Sequence, residues 1–492
     1  METIVTTAHG QVRGRVRGGV ASFLGMPYAA APFGANRFAA PQPVRPWDGV
    51  RDALAFGATP PKPPYPKPID ELLPDPRVVG EDCLNLNVWT PDPGGGGLPV
   101  MVWIHGGAFI AGAASEPIYD GAAFARDGVV CVTLEYRLGV EGFAQLPGAP
   151  GNRGLLDQIA ALRWVQENIA SFGGDPGNIT IFGQSAGGSS VATLLALDLA
   201  RTDGLFHRAI AQSGAATLVH SAEDALLVSR EIAAKLGVEA TREGFAALDP
   251  QAVLHAQEAA AAEAGLPPDP ARWGRTTAAT GTLITPVVDG ELITRHPLES
   301  LAAGAGADVA LLTGYATEEM RLFMVPTGVA AAATEPAAVH VLSGFGIDPG
   351  LLAAYRQADP QLTLGDALCA VVTDGFYRMP VIRQAEQHAA AGGRPTFLYE
   401  FAWRSKVADV GACHALELPF VFDSLAGGFP LAGPNPPQAL ADAMHPAWVA
   451  FATHGDPGWA PFDTAGRPVK VFDGAENRIA LDPHGHTRRL WG

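Results

Sequence analysis

The sequence predicts an α/β architecture, a mostly parallel sheet covered on both sides by helices. Three observations carry this. The near-continuous apolar runs "PVMVWIHGG" and "GVVCVTLEYR" read as strands buried on both faces. Stretches with apolar residues about three or four apart separate such runs, as crossover helices do. The run "NITIFG" leads straight into Gly183-Gln184-Ser185-Ala186-Gly187 and then a helical stretch, a strand–turn–helix junction.

The first 25 residues read as short strands between glycine turns. "GATPPKPPYPKPIDELLPDP" is too proline-rich for regular structure, and the length of the segment 60–76 points to a functional loop near a site. "CLNLNVWT" alternates like a strand and "PDPGGGG" is a turn. "LDQIAALRWVQENIASFG" is a helix by the spacing of Leu156, Ile159, Leu162, Val165 and Ile169, closed by Gly173. "AGGSSVATLLALDLA" is the helix after Ser185, and "FHRAIAQSGA", "DVALLTGYATEE" and "RPTFLYEFAWR" each hold a further strand. Ala-rich helical stretches near 222–275 and 328–392 read as cap-like insertions. With no internal repeat and no clean linker, residues 1–492 read as a single catalytic domain.

Composition narrows the function. Hydrophobic residues make up 48% of the chain and charged residues 17%, ample for a large core. A net charge of -17 makes nucleic acid a poor partner. Cys83, Cys131, Cys369 and Cys413 are too scattered for a disulfide framework or a zinc site. The N-terminus lacks the apolar core of a signal peptide, and no apolar run is long enough to span a membrane. These readings describe a soluble, cytoplasmic protein.

The pentapeptide around Ser185 is a G-x-S-x-G, weak evidence alone but specific in strand–turn–helix context. A serine hydroxyl is a poor nucleophile until a base takes its proton, an acid orients that base, and N–H donors face the oxyanion. Donors are available in "WIHGGAFIAG", where the backbone of Gly106, Gly107 and Ala108 follows a buried strand, and at Ala186 after the serine. Among thirteen histidines, His414 stands out, in a small-residue loop just after the strand "TFLYEFAWR". The orienting acid belongs after a strand between Ser185 and His414. "VALLTGYATEEM" offers Glu318 and Glu319, and spacing does not choose between them.

These motifs, with "GMPYAAAPFGANRFAAPQPVRPW", "EDCLNLNVWTP", "YRLG", "TGYATEE", "HALELPFVF" and "WVAFATHGDP" in order, resemble the type-B carboxylesterase family of bacterial para-nitrobenzyl esterases and cholinesterases. The resemblance covers nearly the whole chain and implies an α/β-hydrolase fold. It implies Ser185 as nucleophile, Glu319 rather than Glu318 as acid and His414 as base. Gly107, Ala108 and Ala186, with Gly106 beside them, match the oxyanion donors. Ser213 in "AQSGA" matches a supporting serine near the histidine, and Arg37 and Glu81 match a structural ion pair. There are departures. No cysteine precedes Cys83, so the disulfide of secreted relatives cannot form here, and Met320 stands where the family usually has glycine.

The reading is a serine carboxylic-ester hydrolase that works through an acyl-enzyme on small to medium apolar or aryl esters. It needs water and no metal or cofactor, and it is a monomer or a weak homo-oligomer. Cleavage of aryl carbamates or amides by the same triad is the alternative; a catalytically dead binding or adhesion protein is the non-enzyme one. Phe109, Leu218, Phe323 and Phe376 are expected to line the substrate pocket.

Overall fold

A computed structural model describes residues 1–199, 203–265, 267–474 and 476–492. In chain order its strands are β1 (Glu2–Thr7), β2 (Gly10–Arg17), β3 (Val20–Pro27), β4 (Val50–Asp52), β5 (Asn85–Thr90), β6 (Leu98–Ile104), β7 (Val130–Leu134) and β8 (Gly174–Gln184). There follow β9 (Arg208–Gln212), β10 (His220–Ser221), β11 (Val287–Val288), β12 (Ala310–Ala316), β13 (Thr396–Phe401), β14 (Pro468–Phe472) and β15 (Arg478–Leu481). One 13-stranded sheet runs β1-β2-β3-β5-β7-β6-β8-β9-β12-β13-β14-β15, with β4 beside β2. From β7 through β14 every neighbour is parallel, and the antiparallel pairs lie towards the two ends. This mostly parallel sheet with flanking helices is the architecture that the buried runs predict.

The parallel strands are buried on both faces, and their side chains alternate between two cores. On β6, Val100, Val102 and Ile104 point into one hydrophobic cluster, Met101 and Trp103 into the other. The helix Arg153–Asn168 covers the first face, with Ile159, Leu162 and Val165 buried as their spacing predicts. Leu155, rather than Leu156, is fully buried in its first turn. A 3-10 turn then ends at Gly173, whose φ of 86° favours glycine. The helix Ala186–Ala196 starts directly after Ser185, and the end of that predicted helix, at Ala200, lies outside the described residues.

The two helical insertions differ in how they are held. Within 222–275, residue 266 lies outside the described residues, and Val228, Ile232, Val253 and Trp273 join the same cluster as β6 and β8. Within 328–392, Leu342, Leu352, Leu368 and Val372 form a small core of their own. The last helix of that stretch, Met379–Ala390, instead lies on the sheet, where Val381 and Ala385 join Tyr315 and Leu398. Segment 60–76 is irregular apart from one short turn, Ile69–Glu71. All four cysteines are buried and unpaired. No helix among the described residues is long and apolar enough to cross a membrane.

Buried ion pairs tie the loops beyond the sheet to the helices. Arg137, just after β7, grips Asp157 of the helix Arg153–Asn168 in a two-pronged contact, Nη2 to Oδ1 at 2.6 Å and Nε to Oδ2 at 2.7 Å. The Arg137 backbone N–H also donates to Asp157 Oδ2, at 3.0 Å. Arg37 departs from the expected pairing with Glu81. Glu81 is exposed, whereas Arg37 is buried against Glu141, with Nη2 2.5 Å from Oε1. A buried guanidinium is costly without partners buried with it, and for Arg37 the fold supplies Glu141.

Replacing Arg137 by Met should lower unfolding stability by about 3–5 kcal/mol, because Asp157 is left buried without its cation. The double substitution Arg137→Met with Asp157→Leu should recover much of that loss. Urea denaturation of the three proteins checks this; a double variant no more stable than the single one would contradict it.

Candidate active site

Five strand ends feed one region. Gly106–Ala108 follow β6, Ser185 follows β8, Ser213 follows β9, Glu319 follows β12 and His414 follows β13. In parallel sheets the carboxyl ends of strands are where loops converge on ligands.

Ser185 caps β8 with φ 58° and ψ −125°, a conformation that non-glycine residues rarely adopt. It is held there by its N–H donating to the Gln212 carbonyl at 2.9 Å and by its own carbonyl accepting from Ser189 N–H at 2.8 Å. The flanking glycines let strand and helix approach. A Cβ on Gly187 would sit 2.0 Å from the Ile104 carbonyl oxygen, and one on Gly183 would sit 2.6 Å from the Gly187 backbone. Opposite, Gly107, Ala108 and Phe109 all have positive φ, which curls the loop after β6. A Cβ on Gly107 would lie 2.2 Å from the Ala111 carbonyl oxygen. Among the described residues, the N–H groups of Gly107, Ala108 and Ala186 donate to no backbone or side-chain acceptor. Ala186 is the first residue of its helix, where an N–H has no partner within the helix.

His414 Nδ1 lies 2.6 Å from Glu319 Oε2. Glu319 is fully buried, and its Oε1 accepts from the Ala316 N–H at 2.7 Å, so the carboxylate is held at both oxygens. With Nδ1 donating to the carboxylate, Nε2 presents its lone pair. The Gln184 amide nitrogen is 3.2 Å from that Nε2. Rings of Tyr377 and Phe323 flank the imidazole, with centroids 4.8 and 5.5 Å away. Glu318, the other acid left open by spacing, turns away from His414. It accepts from the Ala412 N–H at 2.9 Å and pairs with Arg404 Nη1 at 2.7 Å.

A cavity of about 260 Å³ is lined by Ser185, His414, Gln184 and the Gly106–Ala108 loop. Phe323 lines it; the other three residues expected to do so do not. The buried Phe109 ring packs on Phe143 at 4.9 Å, Phe376 packs on Phe345 at 4.9 Å, and Leu218 rests against the main core. Tyr377, the neighbour of Phe376, takes the wall position. The proline-rich segment supplies Pro63, Pro64, Tyr65, Pro66, Ile69 and Leu73 to the wall, as the expectation of a loop near the site requires. Glu116, Ile118 and Tyr119 also line the cavity, and nothing in their spacing marks them. Ser213 does not line it; its Oγ is buried and has no hydrogen-bond partner among the described residues. No cluster of three His, Cys, Asp or Glu side chains among the described residues could hold a metal ion.

Residues 1–479 match the model of the carboxylesterase family. The chain belongs to that family. It is 37% identical to the para-nitrobenzyl esterase of Bacillus subtilis (strain 168), over 99% of this chain and 98% of that protein. It is 35% identical to the phenmedipham hydrolase of Pseudarthrobacter oxydans, over 92% of this chain and 90% of that one. A Geobacillus stearothermophilus carboxylesterase structure superposes with a TM-score of 0.87 at 36% identity, covering 100% of both chains. This family member is an ester-hydrolysing enzyme with the α/β-hydrolase fold.

Behind His414 in this carboxylesterase lies a second buried acid. Glu417 Oε1 accepts from Gln212 Nε2 at 3.2 Å, and Oε2 has no partner among the described residues. Burial, and then the charge of Glu319, push its carboxyl up to about 7. Folded Glu417 therefore binds its proton more tightly than unfolded Glu417. Its contribution to stability falls as pH rises from about 4.5 towards 7, and the penalty is complete above that. Replacing Glu417 by Gln should raise stability at pH 8 by about 1–3 kcal/mol and change it little at pH 4. Thermal melts at the two pH values check this; an equal effect at both would contradict it.

Proposed function

We propose that the protein is a serine carboxylesterase in which Ser185 is the nucleophile, His414 the base and Glu319 the orienting acid. The Gly107, Ala108 and Ala186 N–H groups, with Gly106 beside them, form the oxyanion hole. The observation that carries this is the 2.6 Å contact between His414 Nδ1 and Glu319 Oε2 at the wall of a cavity that Ser185 also lines.

The chemistry follows from the arrangement. Ser185 Oγ attacks the ester carbonyl carbon as His414 Nε2 takes the hydroxyl proton. The carbonyl oxygen gains negative charge and is met by N–H groups that have no other acceptor. Glu319 stabilises the imidazolium without taking its proton. His414 then protonates the leaving alkoxide, which departs as the alcohol and leaves acyl-Ser185. Water loses a proton to His414 as it attacks the acyl carbon, and the collapse returns the proton to Ser185 Oγ and frees the acid.

The cavity wall is apolar over most of its extent, with Ile69, Leu73, Phe323 and Leu418 among its members, which supports small to medium apolar or aryl esters as substrates. Aryl carbamates are the second reading, supported by the 35% identity to a phenmedipham hydrolase. The proposal extends to one catalytic unit over residues 1–492 acting in the cytoplasm, where four unpaired thiols are at home, as a monomer or weak homo-oligomer.

Replacing Ser185 by Ala should lower kcat for para-nitrophenyl butyrate by about 10⁴–10⁶-fold in a protein that still folds. Glu319→Gln should cost on the order of 10³–10⁴-fold, whereas Glu318→Gln should stay within about fivefold of the wild type. Release of para-nitrophenolate reads all three. A folded Ser185→Ala variant with wild-type turnover, or a larger loss from Glu318→Gln than from Glu319→Gln, would refute the assignment.

A further inference from the structure

The cavity wall carries an acid that the reaction does not use. Glu116 sits in the turn after the oxyanion loop, where its N–H donates to Ala113 O at 3.4 Å and its carbonyl accepts from Tyr119 N–H at 2.9 Å. Pro117 follows it and stiffens the turn. The residue is only 6% exposed, and it lines the same cavity as Ser185 and His414. Among the described residues it is the only acidic side chain on that wall.

The Ala113 backbone N–H meets its carboxyl. Among the described residues no side-chain hydrogen bond or ion pair reaches it. Lys62 is the cation that acts on it most strongly, and that ammonium is committed elsewhere, 2.7 Å from Asp75 Oδ1 and donating to the Gly112 carbonyl at 3.0 Å. One N–H leaves most of a carboxyl's acceptor positions open, and a ligand donor in the cavity can fill one of them. Burial pushes the Glu116 carboxyl up to about 8, against the smaller opposing effect of Lys62. It therefore offers a hydrogen-bonding group at neutral pH and becomes a stronger acceptor when a cation binds beside it.

We propose that Glu116 is a specificity-determining residue that selects esters carrying an N–H or O–H donor at the end remote from the scissile carbonyl over their hydrocarbon equivalents. This rests on the serine esterase reading of the same cavity. The donor is a neutral hydroxyl or a protonated amine, and two variants separate them. Gln at position 116 keeps an uncharged oxygen acceptor and loses the charge, whereas Leu loses both.

The test compares kcat/KM for para-nitrophenyl heptanoate, 6-hydroxyhexanoate and 6-aminohexanoate, and for heptyl, 6-hydroxyhexyl and 6-aminohexyl acetate. The two series cover the acyl and the alcohol side. The polar-to-hydrocarbon ratio should fall by about tenfold or more from wild type to Glu116→Leu in at least one series, because a site built around a polar partner discriminates by its presence. Glu116→Gln should keep the hydroxyl preference if the donor is neutral and lose the amine preference if it is cationic. Ratios unchanged within about twofold in both series and both variants would overturn the proposal while leaving the esterase reading intact. A wild type that hydrolyses none of the six esters would overturn both.

Discussion

The close crossing of β8 and the helix behind it is the constraint on which the site depends. For Ser185 to stand clear of the sheet, its backbone must take a left-handed conformation, and the chain must fold back on itself within a few residues. That requires bare backbone on either side, at Gly183 and Gly187, where a Cβ would collide with neighbouring main chain. Two hydrogen bonds pin the turn, from Ser185 N–H to Gln212 and from Ser189 N–H to Ser185. Gln212 ends β9, so the elbow is referenced to the adjacent strand and not only to its own. Strain at one residue persists because the surroundings over-determine it.

The other parts are located by the same sheet. The loop after β6 curls through three residues of positive φ, and its Phe109 carbonyl accepts from the Gly139 N–H at 2.8 Å. Gly139 lies two residues beyond Arg137, which is locked to Asp157 of a core helix. Tyr136, just before Arg137, donates to the His105 carbonyl at 2.9 Å and stacks on the His105 ring. Backbone N–H groups in the loop after β6 are thus positioned through a chain of buried contacts that ends in an ion pair. On the far side, Glu319 is aimed by the Ala316 N–H at the end of β12, and it aims His414 in turn. Each element is fixed by a neighbour on a different strand, so small shifts of one strand would be felt at Ser185.

What the sequence makes legible follows from which signals have a direction. Buried strands show as apolar runs, and the elbow shows as glycines around a serine, because steric exclusion permits little else there. Neighbouring acids carry no such signal. Glu318 and Glu319 are one residue apart, yet one meets Arg404 and the Ala412 N–H while the other meets His414. Apolarity does not separate a cavity wall from a core, so Phe109, Leu218 and Phe376 share their character with Phe323, and only Phe323 reaches the cavity. Arg37 illustrates the same limit for charge. Its carboxylate partner is set by which acid is buried with it, and that acid is Glu141, about a hundred residues away in sequence, as the fold alone decides.

The proline-rich wall shows how composition can serve a cavity without forming a regular element. A loop that lines an apolar pocket normally brings backbone N–H groups that need acceptors. Pro63, Pro64 and Pro66 have none to satisfy, so at these three positions the stretch brings no backbone donor to the cavity. Lys62 within it binds Asp75 and the Gly112 carbonyl. The wall is then apolar by two routes, side chains such as Ile69 and Leu73 and a backbone stripped of donors at the three prolines. Against such a surface one carboxyl met only by a backbone N–H stands out, since no side-chain donor among the described residues answers it. In the proposed selection, the prolines that keep this wall apolar are what set Glu116 apart on it.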